Sequence, residues 1–157
     1  MTDKLKEIKL GYGLGLLKFG MTRKEVEELL GKPDETDQYN YADDINTEAW
    51  HYDEHEFSVS FDEEEDWRLI TIAISSEDCE FRGKKLIGMS QDETIAQIKE
   101  LNIKDFEIED CSTDDYPNHE LIAVDELCIN FWFDEGMLSE IQWGPFYLDD
   151  DNVDWPN

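Results

Sequence analysis

The feature that most constrains this chain is that it matches itself at an offset of 68 residues. Gly15, Gly20, Met21, Thr22 and Glu25 align with Gly83, Gly88, Met89, Ser90 and Glu93. Both halves therefore read Gly, four residues, Gly-Met, then Thr or Ser, two residues, Glu. Internal self-similarity of this kind argues for two copies of one supersecondary unit. The last letters carry a mechanism. Thr22 and Ser90 can each cap a helix while Glu25 and Glu93 reach back to the cap's own N–H, satisfying donors that a helix start leaves open.

Each capped segment continues as a short amphipathic helix. In the first copy Val26, Leu29 and Leu30 form the apolar stripe, and Gly31 followed by Pro33 ends it. In the second copy Ile95, Ile98 and Leu101 form the stripe, Asn102 terminates it, and the offset has grown to 71. A polar, turn-rich connection follows in the first half. The period then changes to two: Trp50 and Tyr52; Phe57, Val59 and Phe61; Ile70, Ile72 and Ile74. The second half repeats the plan with Ile122 and Val124; Leu127, Ile129, Phe131 and Phe133; Met137, Ile141 and Trp143. Each half is thus expected to hold three strands of an antiparallel meander joined by short hairpins.

The expected fold class is α+β: two tandem helix-plus-antiparallel-meander repeats, residues 10–78 and 79–148, forming a curved sheet with helices on one face, and an acidic tail over 149–157. A helix stripe and one sheet face bury each other, which leaves the second face open. On that open face fall Ser58, Ser60, Thr71 and Ala73 from the first half and Cys128, Asn130, Trp132, Glu140 and Gln142 from the second. Trp132 is the aromatic of the set, the type of residue that anchors interfaces. In the tail, Phe146, Tyr147 and Trp155 are expected to tie the chain end to the body, with Asp149, Asp150, Asp151 and Asp154 in solvent.

Composition matters through charge: 41 Asp and Glu against 13 Lys and Arg give a formal net charge of -28. Such a field repels phosphate backbones and anionic lipids and draws in basic proteins, so nucleic acid and membrane are disfavoured partners. Residues 1–10 carry Lys4, Lys6 and Lys9 but no stretch of signal-peptide type, and no run is long and apolar enough to span a bilayer, so a cytoplasmic location is expected. Cys79, Cys111 and Cys128 are odd in number and widely spaced, which suggests neither a disulfide framework nor a metal site.

The pattern L-x-F-G-M-T-x-x-x-V-x-x-L-L-G-x-P-D from Leu17 to Asp34, followed by W-x-Y and V-x-F-D strands ending at Asp62, resembles the SmpA/OmlA family of small bacterial proteins. Two such units in tandem resemble the β-lactamase inhibitory protein family. That resemblance spans about residues 10 to 145 and implies a concave sheet that grips a partner protein. The lipoprotein cysteine and the paired disulfides of those families have no counterpart here, so it implies a binding scaffold rather than a particular target.

Catalytic signatures are weak. His51-Tyr52-Asp53-Glu54-His55 matches H-x-x-E-H, but that zinc motif needs a helix and the flanks alternate like strands. Asp150, Asn152 and Asp154 begin like a calcium loop, yet Trp155 stands where Gly is required. The run from Asp62 to Asp66 reads as a solvated hairpin turn. Gly11, Gly13 and Gly15 read as a flexible lead-in strand or turn rather than a phosphate loop, and His119 has no nucleophile beside it in sequence.

The expected function is therefore non-enzymatic: an inhibitor or immunity protein that neutralises a basic, nuclease-type partner through an acidic sheet face. Ser58, Ser60, Thr71, Asn130, Trp132, Glu140 and Gln142 are its expected partner-binding residues, and no cofactor or metal is implied. The alternative is a cytoplasmic scaffold or assembly factor whose acidity serves solubility alone.

Overall fold

In the computed structural model, residues 5–41, 45–100, 102–103, 105–115, 117–149 and 152–156 are described. Lys4, Leu101, Asp150 and Asp151, to which the sequence assigned roles, lie outside them. The order is β1 (Glu7–Lys9), β2 (Gly13–Leu14), β3 (Leu17–Lys18), α1 (Arg23–Leu30), β4 (Glu35–Tyr41), β5 (Ile45–Tyr52), β6 (Phe57–Asp62), β7 (Arg68–Ile74), β8 (Glu80–Phe81), α2 (Gln91–Glu100), β9 (Glu107–Asp110), β10 (His119–Val124), β11 (Ile129–Asp134), β12 (Met137–Trp143), β13 (Phe146–Tyr147) and β14 (Val153–Asp154).

This corrects the expected fold class. The protein is mostly β rather than an α+β tandem of helix-plus-meander units. Eight strands form one antiparallel sheet in the order β4-β5-β6-β7-β12-β11-β10-β9, and β3-β2-β1-β8 form a second, smaller sheet. The physical reason lies in segments that carry no alternation. Residues 35–41, expected to be polar connection, and residues 107–110, to which no element was assigned, are the two edge strands of the large sheet. An edge strand exposed on both faces buries nothing, so its sequence has no reason to alternate. The Gly11–Gly15 region is likewise a folded strand system rather than a loose lead-in: a Cβ on Gly13 would overlap the Leu17 carbonyl, so only glycine permits this tight antiparallel turn.

Both helix starts form as their sequences dictate. Glu25 N–H donates to Thr22 Oγ1 and Thr22 N–H to Glu25 Oε1; Ser90 and Glu93 exchange the same two bonds. The Gly-Met segments before them dock alike: Gly20 N–H donates to Leu69 O and Leu69 N–H to Met21 O, while Gly88 and Met89 hold Leu138 in the same way. Tyr52 Oη donates to the Gly31 carbonyl at 2.9 Å, satisfying the end of α1, and burial pushes its hydroxyl up to about 12.

One face of the large sheet carries the core. Phe57, Val59, Phe61, Leu69, Ile72, Ile74, Ile122, Ile129, Phe131, Phe133, Ile141 and Trp143 are buried there with Val26 of α1, Ile98 of α2 and Leu14 and Leu17 of the small sheet. Trp143 Nε1 donates across this core to the Gly13 carbonyl at 3.2 Å. The expected register needs one adjustment in each half. The ladder slips between Ser60 and Phe61 and again between Trp132 and Phe133, so Leu69 and Leu138 face the core instead of Ile70 and Met137. Leu29 is also more exposed than its helical stripe implied.

The three cysteines are free thiols; Cys79 is buried, which pushes it up to about 12. Cys128, expected within a strand, instead ends a short 3-10 turn over Asp125–Leu127 in a left-handed conformation. The chain end folds back as the β13–β14 hairpin: Phe146 lies against Gly11, and Trp155 sits over Gly20 and beneath the Arg68 guanidinium at 5.7 Å. Tyr147, expected to tie the tail down, is half exposed.

Candidate functional site

The face of the large sheet away from the core is built from one row of cross-strand neighbours that crosses all eight strands. Glu35 pairs with His51, His51 with Ser58, Ser58 with Ala73, Ala73 with Gln142, Gln142 with Asn130, Asn130 with Ala123 and Ala123 with Glu107. Side chains in such a row stand about 5 Å apart on one surface. Ser58, Asn130 and Gln142 of the expected binding set belong to this row. Ser60 and Thr71 pair in a row on one side of it, and Trp132 and Glu140 pair on the other. All seven are partly exposed.

Within the second half, Trp132 and Gln142 are already engaged with each other. Trp132 Nε1 donates to Gln142 Oε1 at 3.1 Å, and the indole stacks on the His119 ring at 5.3 Å between centroids. Burial raises the Glu140 carboxyl above its ordinary value, and nearby His119 partly offsets this. Trp132 is thus held within the second half rather than projecting freely.

The sequence reading missed a chain of hydrogen bonds on the first half. His51 Nδ1 lies 2.8 Å from Ser58 Oγ, and His51 Nε2 lies 2.7 Å from Asp37 Oδ2. These are the residue types of a hydrolase triad, but the surroundings work against acyl transfer. Glu35, Asp53 and Glu56 line the same hollow and would oppose an oxyanion developing on a substrate. The arrangement orients Asp37 and fixes the imidazole. The motif spacing offers no sign of it, because Asp37 sits on the edge strand β4, whose sequence does not alternate. His55, the second histidine of H-x-x-E-H, instead stacks on Phe57 at 5.3 Å. Among the described residues, no three His, Cys, Asp or Glu side chains group as metal ligands.

Charge is distributed unevenly over the molecule. Residues 33–67 and 105–157 contain no Lys or Arg, while they hold 14 and 16 of the 41 acidic residues. Every strand of the large sheet except β7 falls in those stretches. Basic side chains from outside those stretches form ion pairs: Arg23 with Glu48 of β5 at 2.7 Å, Lys84 with Glu100 at 2.9 Å and Lys6 with Glu80 at 3.3 Å. Seven of the eight strands are therefore without Lys or Arg, with Arg68 at the start of β7, opposite Asp62, as the exception, a signal readable in the sequence as two cation-free stretches.

No family model matches the chain, and no curated protein matches it. Among solved structures, it is similar to an extracellular protein containing a SCP domain from Bacillus anthracis str. Ames, with a TM-score of 0.50 and 14% identity over 80% of this chain and 43% of that one. At that identity the likeness concerns fold alone, and the chain spans less than half of its neighbour's length.

Proposed function

We propose that this protein is a non-enzymatic binding module, an inhibitor or immunity protein that neutralises a basic, nuclease-type partner on its open sheet face. The observation that carries the reading is an open face on an eight-strand sheet in which every strand but β7, which starts at Arg68, lacks Lys and Arg. Its carboxylates stand in for the phosphates that a nuclease binds, and long-range attraction speeds encounter with a basic surface. The resemblance to SmpA/OmlA units and to the β-lactamase inhibitory protein family supports the same use of a sheet face, with a cytoplasmic site of action where a toxin must be intercepted.

The test is capture of partners from the source cell with the wild-type protein, followed by association kinetics on the purified pair. The expected partner is basic, and its association rate falls at least about tenfold from low to high ionic strength. A neutral partner that associates at a salt-independent rate overturns the reading and favours a scaffold whose acidity serves solubility.

A further inference from the structure

Where β7 meets β12, Ala73 pairs with Gln142, Ile72 with Trp143 and Ile74 with Ile141. Under the 69-residue offset that relates these strands, Ala73 matches Gln142, Ile72 matches Ile141 and Ile74 matches Trp143. The pairing is therefore reciprocal, and an approximate twofold passes between Ala73 and Gln142. It exchanges two hollows in the open face. Ser58, Ala73 and Glu140 line the first, and their counterparts Asn130, Gln142 and Thr71 line the second.

The hollows are alike in size, about 450 and 390 Å3, and unlike in chemistry. The first is lined by Glu35, Asp37, Asp53, Glu56 and Glu140, with His51 as its sole titratable base. The second has Asp62 and Asp125 at its edge, amides from Asn130 and Gln142, and a wall of Pro145 and Tyr147. Five carboxylates against two thus make the first hollow the stronger site for a cation, and the amides, Pro145 and Tyr147 make the second the more neutral of the pair.

The first hollow is also a trough. Its walls, Glu35 and Asp37 on β4 and Glu140 on β12, are four strand steps apart in the sheet order, so about 19 Å along the sheet. That is wider than one side chain and wide enough for a helix, whose diameter is about 10–12 Å. Carboxylates on both walls suit guanidinium groups, which are weakly hydrated and present a planar fork of donors, better than the strongly hydrated ammonium of lysine. Asp37 accepts one bond from His51 and keeps acceptor capacity for a ligand.

Resting on the reading of this face as the docking surface for a basic protein, we propose that an arginine-bearing segment of the partner lies in the first hollow, between the Glu35–Asp37 wall and Glu140. The second hollow receives a neutral part of the same partner. Specificity then comes from the difference between two geometrically equivalent sites, not from overall charge.

The probe is a capped hexa-arginine peptide, with hexalysine as the comparison, titrated into the isotopically labelled protein and followed by residue-resolved NMR. The largest saturable shifts are expected at Asp37, His51, Ser58 and Ala73. Hexalysine is expected to bind at least about threefold more weakly. The double variant D37N/E140Q should weaken hexa-arginine at least about fivefold, and T71A/N130A by less than about twofold, with unchanged amide dispersion showing that both variants fold. Shifts centred on Thr71, Asn130 and Gln142, equal affinity for the two peptides, or equal losses in the two variants overturn this inference and leave the open-face reading standing. Shifts confined to α1, α2 and the small sheet, or no saturable shift anywhere, overturn both.

Discussion

The two faces of β6 and β11 show how one strand serves two purposes. Phe57, Val59 and Phe61 on β6 are 4%, 0% and 0% exposed, while Ser58 and Ser60 between them remain partly open. On β11, Ile129, Phe131 and Phe133 are sealed, while Asn130 and Trp132 are not. The covered face is held by apolar packing against helices and the small sheet, which punishes any change of volume. The open face is held by hydrogen bonds and stacking between neighbours, such as His51 with Ser58 and Trp132 with His119, and its carboxylates are free to vary in charge without collapsing the core. Stability is thus concentrated on one side of the sheet, and the proposed recognition uses the other.

The largest test of that division is Phe131→Ala beside Asn130→Ala, adjacent residues on opposite faces. Denaturant unfolding should show a loss of about 3–5 kcal/mol for the first and under about 0.5 kcal/mol for the second. Comparable losses would break the distinction between the faces. Next in size are the helix starts that help to close the covered face. Thr22→Ala and Ser90→Ala each remove one reciprocal cap, and each should cost about 1 kcal/mol by the same measurement. A loss in only one would show that the two Gly-Met segments, alike in hydrogen bonding, differ in how much each supports the sheet.

The smallest effect sharpens the open face. Burial raises the Glu140 carboxyl, so in the folded protein its ionised form is disfavoured relative to the unfolded chain. The folded state then holds its proton to higher pH, and stability grows as pH falls through the raised value. Glu140→Gln should therefore be slightly more stable than wild type at neutral pH, with the advantage shrinking as the pH is lowered through that titration. Thermal melts across pH check this. An advantage that persists unchanged into acid would show that the gain comes from packing rather than charge.

The helix positions were legible because caps are local. Thr22 with Glu25, and Ser90 with Glu93, determine where a helix starts within four residues, and Gly31 and Asn102 mark where it ends. The inner strands were legible because burial on one face forces alternation, which also placed Ser58, Ser60, Thr71, Asn130, Trp132, Glu140 and Gln142 on the opposite face. The edge strands β4 and β9 were illegible because exposure on both faces removes that pressure, and the class of the fold was misread with them. The bulges beside Ile70 and Ser139 were hidden for a related reason: one extra residue in a ladder depends on the partner strand, not on its own sequence.

By itself, then, the sequence determined the capped helices, the alternation of the inner strands and the two acidic stretches devoid of Lys and Arg, since each follows from interactions among near neighbours or from composition. Only the tertiary structure decided that eight strands join in one sheet, that Asp37 and Ser58 both meet His51, and that two matched hollows differ in charge. Those outcomes depend on pairing between segments far apart in the chain, where many registers compete and only the packed whole selects one.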